Sequence, residues 1–213
     1  MKPDFNFRYY KENYLIALII VLYIASEALI RLISHVLNIY DLSYNRFYPA
    51  AILLAILFSL INTNLHRFQK LWNLLIKVPF VKGEYEGEIH YTINDTPYTK
   101  KCFVKISQTT SKIKITSKFW EEDENSNKIL ITKTPSQSIV EDFRLNKNDI
   151  YELNYYYRND GNFNSTIPIK EGYNILKYNK STQSFEGRYF SKNSITDGNG
   201  GTIKLVKIKN KKG

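Results

Sequence analysis

Tyrosine and arginine on short alternating segments are the residues of this chain best suited to chemistry, and that chemistry is recognition. Tyr155-Tyr156-Tyr157-Arg158-Asn159 closes one segment, and Arg188-Tyr189 sits in another. Tyr85 and Tyr91 share one face of a third, while Gln108 and Thr110 stand at the end of a fourth. Phenol rings stack on nucleobases, a guanidinium pairs with phosphate through two parallel hydrogen bonds, and amides and hydroxyls read polar edges. The plain alternative is structural, because tyrosine is a favoured strand residue that fills sheets. Alternation also puts Tyr155 and Tyr157 on one face and Arg158 on the other, unless the strand ends or bulges there.

Catalytic chemistry finds little support. The three histidines, His35, His66 and His90, lie far apart with no ligand spacing, and the single cysteine, Cys102, allows neither an intramolecular disulfide nor a cysteine-based zinc cluster. There is no GxGxxG, P-loop or nucleophile elbow. The acidic run Glu121-Glu122-Asp123-Glu124 reads as a solvated hairpin tip, and Gly198-Asn199-Gly200-Gly201 as a hairpin turn leading into a strand. The reading is therefore of a protein that is not an enzyme, with no catalytic residue, no metal site and no cofactor.

The elements that must position the tyrosines begin at Gly83, where the apolar period becomes two. Tyr85, Gly87, Ile89, Tyr91 and Ile93 share one face of a first strand. Cys102, Val104, Ile106 and Gln108 line a second, and Ile113, Ile115, Ser117 and Phe119 a third. Further strands are expected near 127–140, 149–158, 171–179, 182–191 and 202–210, with Asn94-Asp95-Thr96-Pro97 as the first turn. Eight strands with short polar connections suggest an up-and-down meander, either two stacked sheets or a closed barrel. A closed barrel of eight has an interior just wide enough for packed side chains or one small ligand.

Before this half come two apolar runs, Tyr14 to Leu37 and Phe47 to Leu65. At about 1.5 Å of rise per residue each can cross a bilayer core of roughly 30 Å. The short link Asn38 to Arg46 makes them an antiparallel hairpin. Lys2, Arg8 and Lys11 precede the first run, and Arg67, Lys70, Lys77 and Lys82 follow the second, whereas the link carries only Arg46. The positive-inside bias then places both termini and the strand-rich half in the cytosol. Leu65, Phe68, Leu71, Trp72, Leu75 and Ile76 have helical spacing and predict an interfacial helix lying on the headgroups, or one continuing from the second span, ended by Pro79. The domain boundary falls accordingly between 1–78 and 79–213. Glu27 and Arg31, four apart inside the first span, suit either a polar contact between neighbouring subunits or a local ion pair.

The net charge of +10 is shared evenly between residues 1–82, with 9 Lys/Arg against 4 Asp/Glu, and the remainder. A moderately basic surface suits an anionic partner, whether nucleotide, nucleic acid or lipid headgroup, and the plain alternative is a set of solvated lysines.

Several segments resemble a known family when taken in order. They are Gly83-Glu84-Tyr85-Glu86-Gly87, Ile106-Ser107-Gln108-Thr109, Leu153-Asn154-Tyr155-Tyr156-Tyr157-Arg158-Asn159, Phe185-Glu186-Gly187-Arg188-Tyr189-Phe190 and Gly200-Gly201-Thr202-Ile203-Lys204-Leu205. Following a membrane hairpin, they resemble the two-transmembrane, β-strand-rich effectors of CBASS, the bacterial cyclic-oligonucleotide-based anti-phage signalling system. The resemblance implies a membrane α plus all-β fold, with a two-helix hairpin and an eight-stranded, lipocalin-like barrel. It implies a cyclic dinucleotide as ligand, a lipid bilayer and further copies of the chain as partners, and no DNA or RNA polymer. Binding is expected to drive self-assembly through the membrane helices, disrupting the bacterial inner membrane in abortive infection. The segment Asn162 to Lys170 departs from the pattern, since no histidine follows His90 where the family tends to show a histidine–glycine element. The expected ligand residues are Tyr85, Tyr91, Gln108, Thr110, Tyr155, Tyr157, Arg158, Arg188 and Tyr189, with Glu27 and Arg31 for membrane assembly. Competing readings are a membrane-anchored lipocalin-like carrier of an apolar ligand and a structural envelope protein.

Overall fold

The fold is that of a computed structural model, which describes residues 7–36, 47–93, 96–122, 128–130, 135–159, 170–191 and 200–208. The chain divides into two compact units, Met1–Phe80 with Thr109–Lys112, and Val81–Gln108 with Ile113–Gly213.

The first unit is helical. α1 spans Glu12–Val36 and α2 spans Phe47–Asn64. Branched and long aliphatic residues dominate both helices, with Glu27 and Arg31 on one face of α1, and Glu12 in the first turn of α1 meets the positive end of its dipole. α1 packs on α2. Even so, Ile16, Ile20, Val21, Ile24, Leu32, Ile52, Ile56 and Leu60 stay exposed. Hydroxyls inside the runs are satisfied locally: Ser26 Oγ donates to the Leu22 carbonyl at 2.7 Å, and Thr63 Oγ1 to that of Ser59 at 3.0 Å. Two helices long and apolar enough to cross a membrane thus stand near the N-terminus, over Glu12–Val36 and Ala50–Arg67. The link between them lies outside the described residues.

The stretch expected as one helix, interfacial or continuing from the second span, is broken into a 3₁₀ turn at Leu65–Arg67, directly after α2, and α3 at Gln69–Leu75. The end of α3 is held by the chain before α1. Lys11 N–H donates to the Leu75 carbonyl at 2.8 Å and Lys77 N–H to that of Tyr9 at 2.9 Å. Trp72 is buried, donates through Nε1 to the Val78 carbonyl at 2.9 Å and meets Phe80 edge-on.

The second unit is a closed antiparallel barrel. Its strands are β1 (Gly83–Ile93), β2 (Thr96–Gln108), β3 (Ile113–Glu122), β5 (Ser136–Leu145), β6 (Tyr151–Asn159), β7 (Lys170–Asn179), β8 (Ser184–Ser191) and β9 (Gly200–Lys207). Each pairs with its neighbour in chain order, and β9 returns to β1. β4 (Lys128–Leu130) pairs with β3 as a short addition outside the ring. The strand expected over 127–140 is therefore two, β4 and β5, and β5 carries a register shift between Ser138 and Val140. The link after the first strand, the end of the acidic run after Glu122, and Asn162 to Ile169 fall outside the described residues, as do Gly198 and Asn199.

Alternation divides each strand. At the end where β1 begins, the lower end, the inner wall is an apolar plug. Tyr85, Ile106, Ile113, Phe143, Leu153, Leu176, Phe185 and Leu205 are all buried there. Rings meet at an angle: Tyr85 on Phe185 at 5.4 Å, Tyr178 on Phe185 at 4.8 Å, and Phe143 on Tyr178 at 6.4 Å between centroids. Two lower connections are closed by asparagine side chains. Asn146 Oδ1 accepts from the Asn148 and Ile150 N–H groups, and Asn179 Oδ1 accepts from that of Ser181.

Candidate ligand-binding site

Above the plug the inner wall changes character. One cross-strand rung, Phe143–Leu153–Leu176–Gly187–Ile203, is apolar. The next rung up is Glu141–Tyr155–Asn174–Tyr189–Gly201, and above that run Ser138–Tyr157–Gly172–Ser191. Ser117 and Ser136, paired between β3 and β5, add two more small hydroxyls. The upper half thus groups phenols, small hydroxyls, an amide and a carboxylate, where the lower half is mainly aliphatic and phenyl and its Tyr85 and Gln108 are bonded to the Val81 backbone.

Glycine makes room for the rings. Gly172 pairs with Tyr157 and Gly201 with Tyr189. A Cβ at Gly172 would run into the Tyr157 phenol, and one at Gly201 into the Tyr189 ring. These positions let two large side chains lie along the wall inside a narrow barrel.

Burial governs the phenols. Tyr155, 3% exposed, has its pKa raised by desolvation and, less strongly, by Cys102 and Tyr157, against a hydrogen bond with Ser117 that lowers it. Tyr157 is pushed up to about 12 by desolvation, with Tyr156 adding to it. Desolvation also raises Tyr189, followed by Tyr157 and Tyr91, so these rings share one neighbourhood. All three remain neutral donors and acceptors at physiological pH. Toward the rim, Tyr91 stacks on Tyr98 at 5.6 Å, and Lys100 Nζ stands 5.3 Å from the Tyr91 ring centroid.

The other expected ligand residues are placed elsewhere. Tyr85 is fully buried in the plug, where its hydroxyl donates to the Val81 carbonyl at 2.7 Å. Gln108, at the lower end of β2, accepts the Val81 N–H at 2.6 Å and ties down the chain entering the barrel. Thr110 lies buried in the turn Thr109–Lys112, which belongs to the helical unit. Arg158 stands on the outer face, 3.7 Å from Glu171, whose carboxylate also accepts from the Tyr156 hydroxyl at 2.6 Å. Arg188 is outside too, over the Phe190 ring. The arginines therefore do not join the tyrosines on the inner wall. Within α1, Glu27 and Arg31 form an ion pair at 3.7 Å.

Inner residues missed by sequence reasoning include Asn174, Ser138 and Glu141, besides Ser136 and Ser191. Asn174 follows the alternation of Gly172, Leu176 and Tyr178 and was legible by parity. Ser138 and Glu141 were not, because the register shift between them reverses the parity of β5. Ser138 Oγ accepts the Ile115 N–H at 2.8 Å and donates to Glu141 Oε1. Among the described residues no group of three His, Cys, Asp or Glu is placed to hold a metal ion.

A closed eight-stranded barrel, apolar below and lined above by tyrosines, serines and an asparagine, is the build of a receptor for one small polar ligand. Residues 76–207, more than half of the chain, match the family described as Cap15, cyclic dinucleotide receptor domain, and the protein belongs to that family of CBASS receptors. No curated protein matches the chain.

Proposed function

We propose that this protein is a membrane-embedded CBASS effector without enzymatic activity of its own. It holds a cyclic dinucleotide against the upper inner wall of the barrel, clusters through α1 and α2, and breaks the bacterial inner membrane. The observation that carries this reading is the change of the inner wall from plug to polar rungs, where Tyr155, Tyr157 and Tyr189 converge. Phenol faces stack on bases whatever their identity, and neutral hydroxyls donate to phosphate oxygens. Lys100, beside Tyr91 near the rim, supplies a cation for a phosphate. The basic residues flanking both apolar runs support a cytosolic barrel, where the messenger is made.

Coupling requires that the ligand bind the clustered state better than the resting one, since equal affinity shifts nothing. The Glu27–Arg31 pair on α1 exchanges its internal contact for contacts between neighbouring copies, because ionised groups in hydrocarbon are stabilised by partners. Dye-loaded liposomes carrying the full-length protein test the reading. Addition of a cyclic dinucleotide is expected to release dye and increase cross-linking between copies. Glu27→Leu and Arg31→Leu are expected to keep nucleotide affinity while losing leakage. Leakage independent of nucleotide, or unchanged in both variants, would contradict it.

A further inference from the structure

We propose that Asn174 reads an adenine base of the ligand and sets the base specificity of the site. This rests on the reading that the ligand lies against the upper inner wall. Asn174 shares the inward parity of Gly172 and Leu176 on β7, and stands in register between Tyr155 of β6 and Tyr189 of β8. The rung directly below, Leu153–Leu176–Gly187–Ile203, is apolar, so Asn174 stands where the polar wall meets the plug.

The side chain is 4% exposed, and among the described residues its amide has no hydrogen-bond partner. Gln108, the buried amide at the lower end of β2, shows the contrast, since it accepts the Val81 N–H. An amide withdrawn from water without a partner weakens the empty barrel. A leucine fills nearly the same space and would extend the plug by one rung. Strand alternation asks only for an inward side chain here, with no demand for polarity. The cost is explained if the partner arrives with the ligand.

Position makes that partner a base. On the rung Glu141–Tyr155–Asn174–Tyr189–Gly201 there is an acid and no cation, which disfavours a phosphate. Tyr155 and Tyr189 on either side supply ring faces on which a base stacks. A side-chain amide sets N–H donors beside a carbonyl acceptor and pairs with an edge that carries one of each. Adenine has such a pair on two edges, the 6-amino group with N1 and the same group with N7. Guanine has one such edge, because its N7 and O6 both accept. The side chain that most often selects guanine is arginine. Arg144, Arg158 and Arg188 all lie on the outward parity of their strands, in ion pairs with Asp142 and Glu171 or over the Phe190 ring.

The test is calorimetric titration of the full-length protein with cyclic di-AMP, cyclic di-GMP and the cyclic dinucleotide of purine riboside, which lacks the 6-amino group. The wild-type protein is expected to prefer cyclic di-AMP to both by about 10- to 100-fold, the usual worth of a bidentate base contact. Asn174→Leu is expected to weaken cyclic di-AMP by a similar factor while leaving the purine analogue unchanged within about twofold. The same variant is expected to raise the thermal unfolding midpoint of the ligand-free protein, a gain that a residue held in a structural network would not give. The comparison of ligands on the wild-type protein needs no substitution and stands even if the variant fails to fold. Equal affinity for the three ligands, preference for cyclic di-GMP, or a variant that keeps its cyclic di-AMP affinity overturns the inference while leaving the binding site intact. So does a variant with a lowered midpoint and equal losses for every ligand. Absence of binding by all three overturns both the inference and the site on which it rests.

Discussion

The two halves of one barrel interior are built from the same strands with opposite residue choices. Along β6, Leu153 is buried in the lower half while Tyr155 and Tyr157 line the upper. Along β7, Leu176 and Tyr178 fill the lower half, whereas Asn174 and Gly172 open the upper. β8 passes from Phe185 through Gly187 to Tyr189, and β9 from Leu205 and Ile203 to Gly201. Alternation delivers every second residue of a strand to the same interior whatever its type. The division therefore comes from side-chain volume and polarity rung by rung. Aliphatic and phenyl groups below supply the burial that stabilises the ring of strands. Glycine, serine and tyrosine above give up part of that burial for groups able to meet a polar guest.

Substitutions in the two halves should separate stability from binding. The largest effect is expected from Phe143→Ala, which leaves a cavity among Tyr178, Phe185 and Tyr151, with a loss of about 3–5 kcal/mol in chemical unfolding. Tyr157→Ala should cost about 1–3 kcal/mol of cyclic dinucleotide affinity in calorimetric titration, with a smaller change in unfolding midpoint. If Phe143→Ala proved mild while Tyr157→Ala unfolded the barrel, the division of labour would be reversed.

Alkaline pH reaches buried phenols in both halves, Tyr85 and Tyr178 below and Tyr157 above, and a Tyr157 variant isolates part of the upper share. Burial holds the Tyr157 phenol near 12 in the folded chain against about 10 when unfolded. Its contribution is complete below pH 10 and is lost as pH rises from there toward 12, because the unfolded chain ionises first. Denaturant melts at pH 9, 10 and 11 should show this fall, and Tyr157→Phe should make it shallower without abolishing it, since Tyr85, Tyr155 and Tyr189 are also held up by burial. The smallest effect is expected at Arg158→Ala, which removes an outer-face ion pair with Glu171 worth about 0–1 kcal/mol and leaves ligand affinity at the wild-type level. A large loss of affinity there would move the site outside the barrel.

Much of this arrangement was legible in the sequence, for stated reasons. Period-two patterning gave the inner faces of β1, β2 and β3, because Tyr85, Gly87, Ile89, Cys102, Val104, Ile106, Ile113 and Ile115 alternate with residues that are mostly charged, Phe103 being the apolar exception. The same rule separated Arg158 from Tyr155 and Tyr157. Depth along the barrel was not legible, since it is set by pairing between distant strands. Tyr85 and Tyr91 share a face, yet one is in the plug and the other near the rim. Gln108 and Thr110 are polar residues at a strand end, and nothing local distinguishes a ligand contact from the Val81 bond that Gln108 makes. The inward turn of Glu141 was hidden for a different reason: continuing the parity of Ser136 and Ser138 without the shift would have turned Val140 inward and Glu141 outward.

Photo-cross-linking of the full-length protein with an 8-azido cyclic dinucleotide, followed by mass spectrometric mapping, tests most directly where the ligand lies. Label is expected on Tyr91, Tyr155, Tyr157 or Tyr189 and should be competed away by unmodified ligand. Competable label confined to outer-face peptides around Arg158 or Arg188, or to the helical unit, would contradict a ligand held on the upper inner wall.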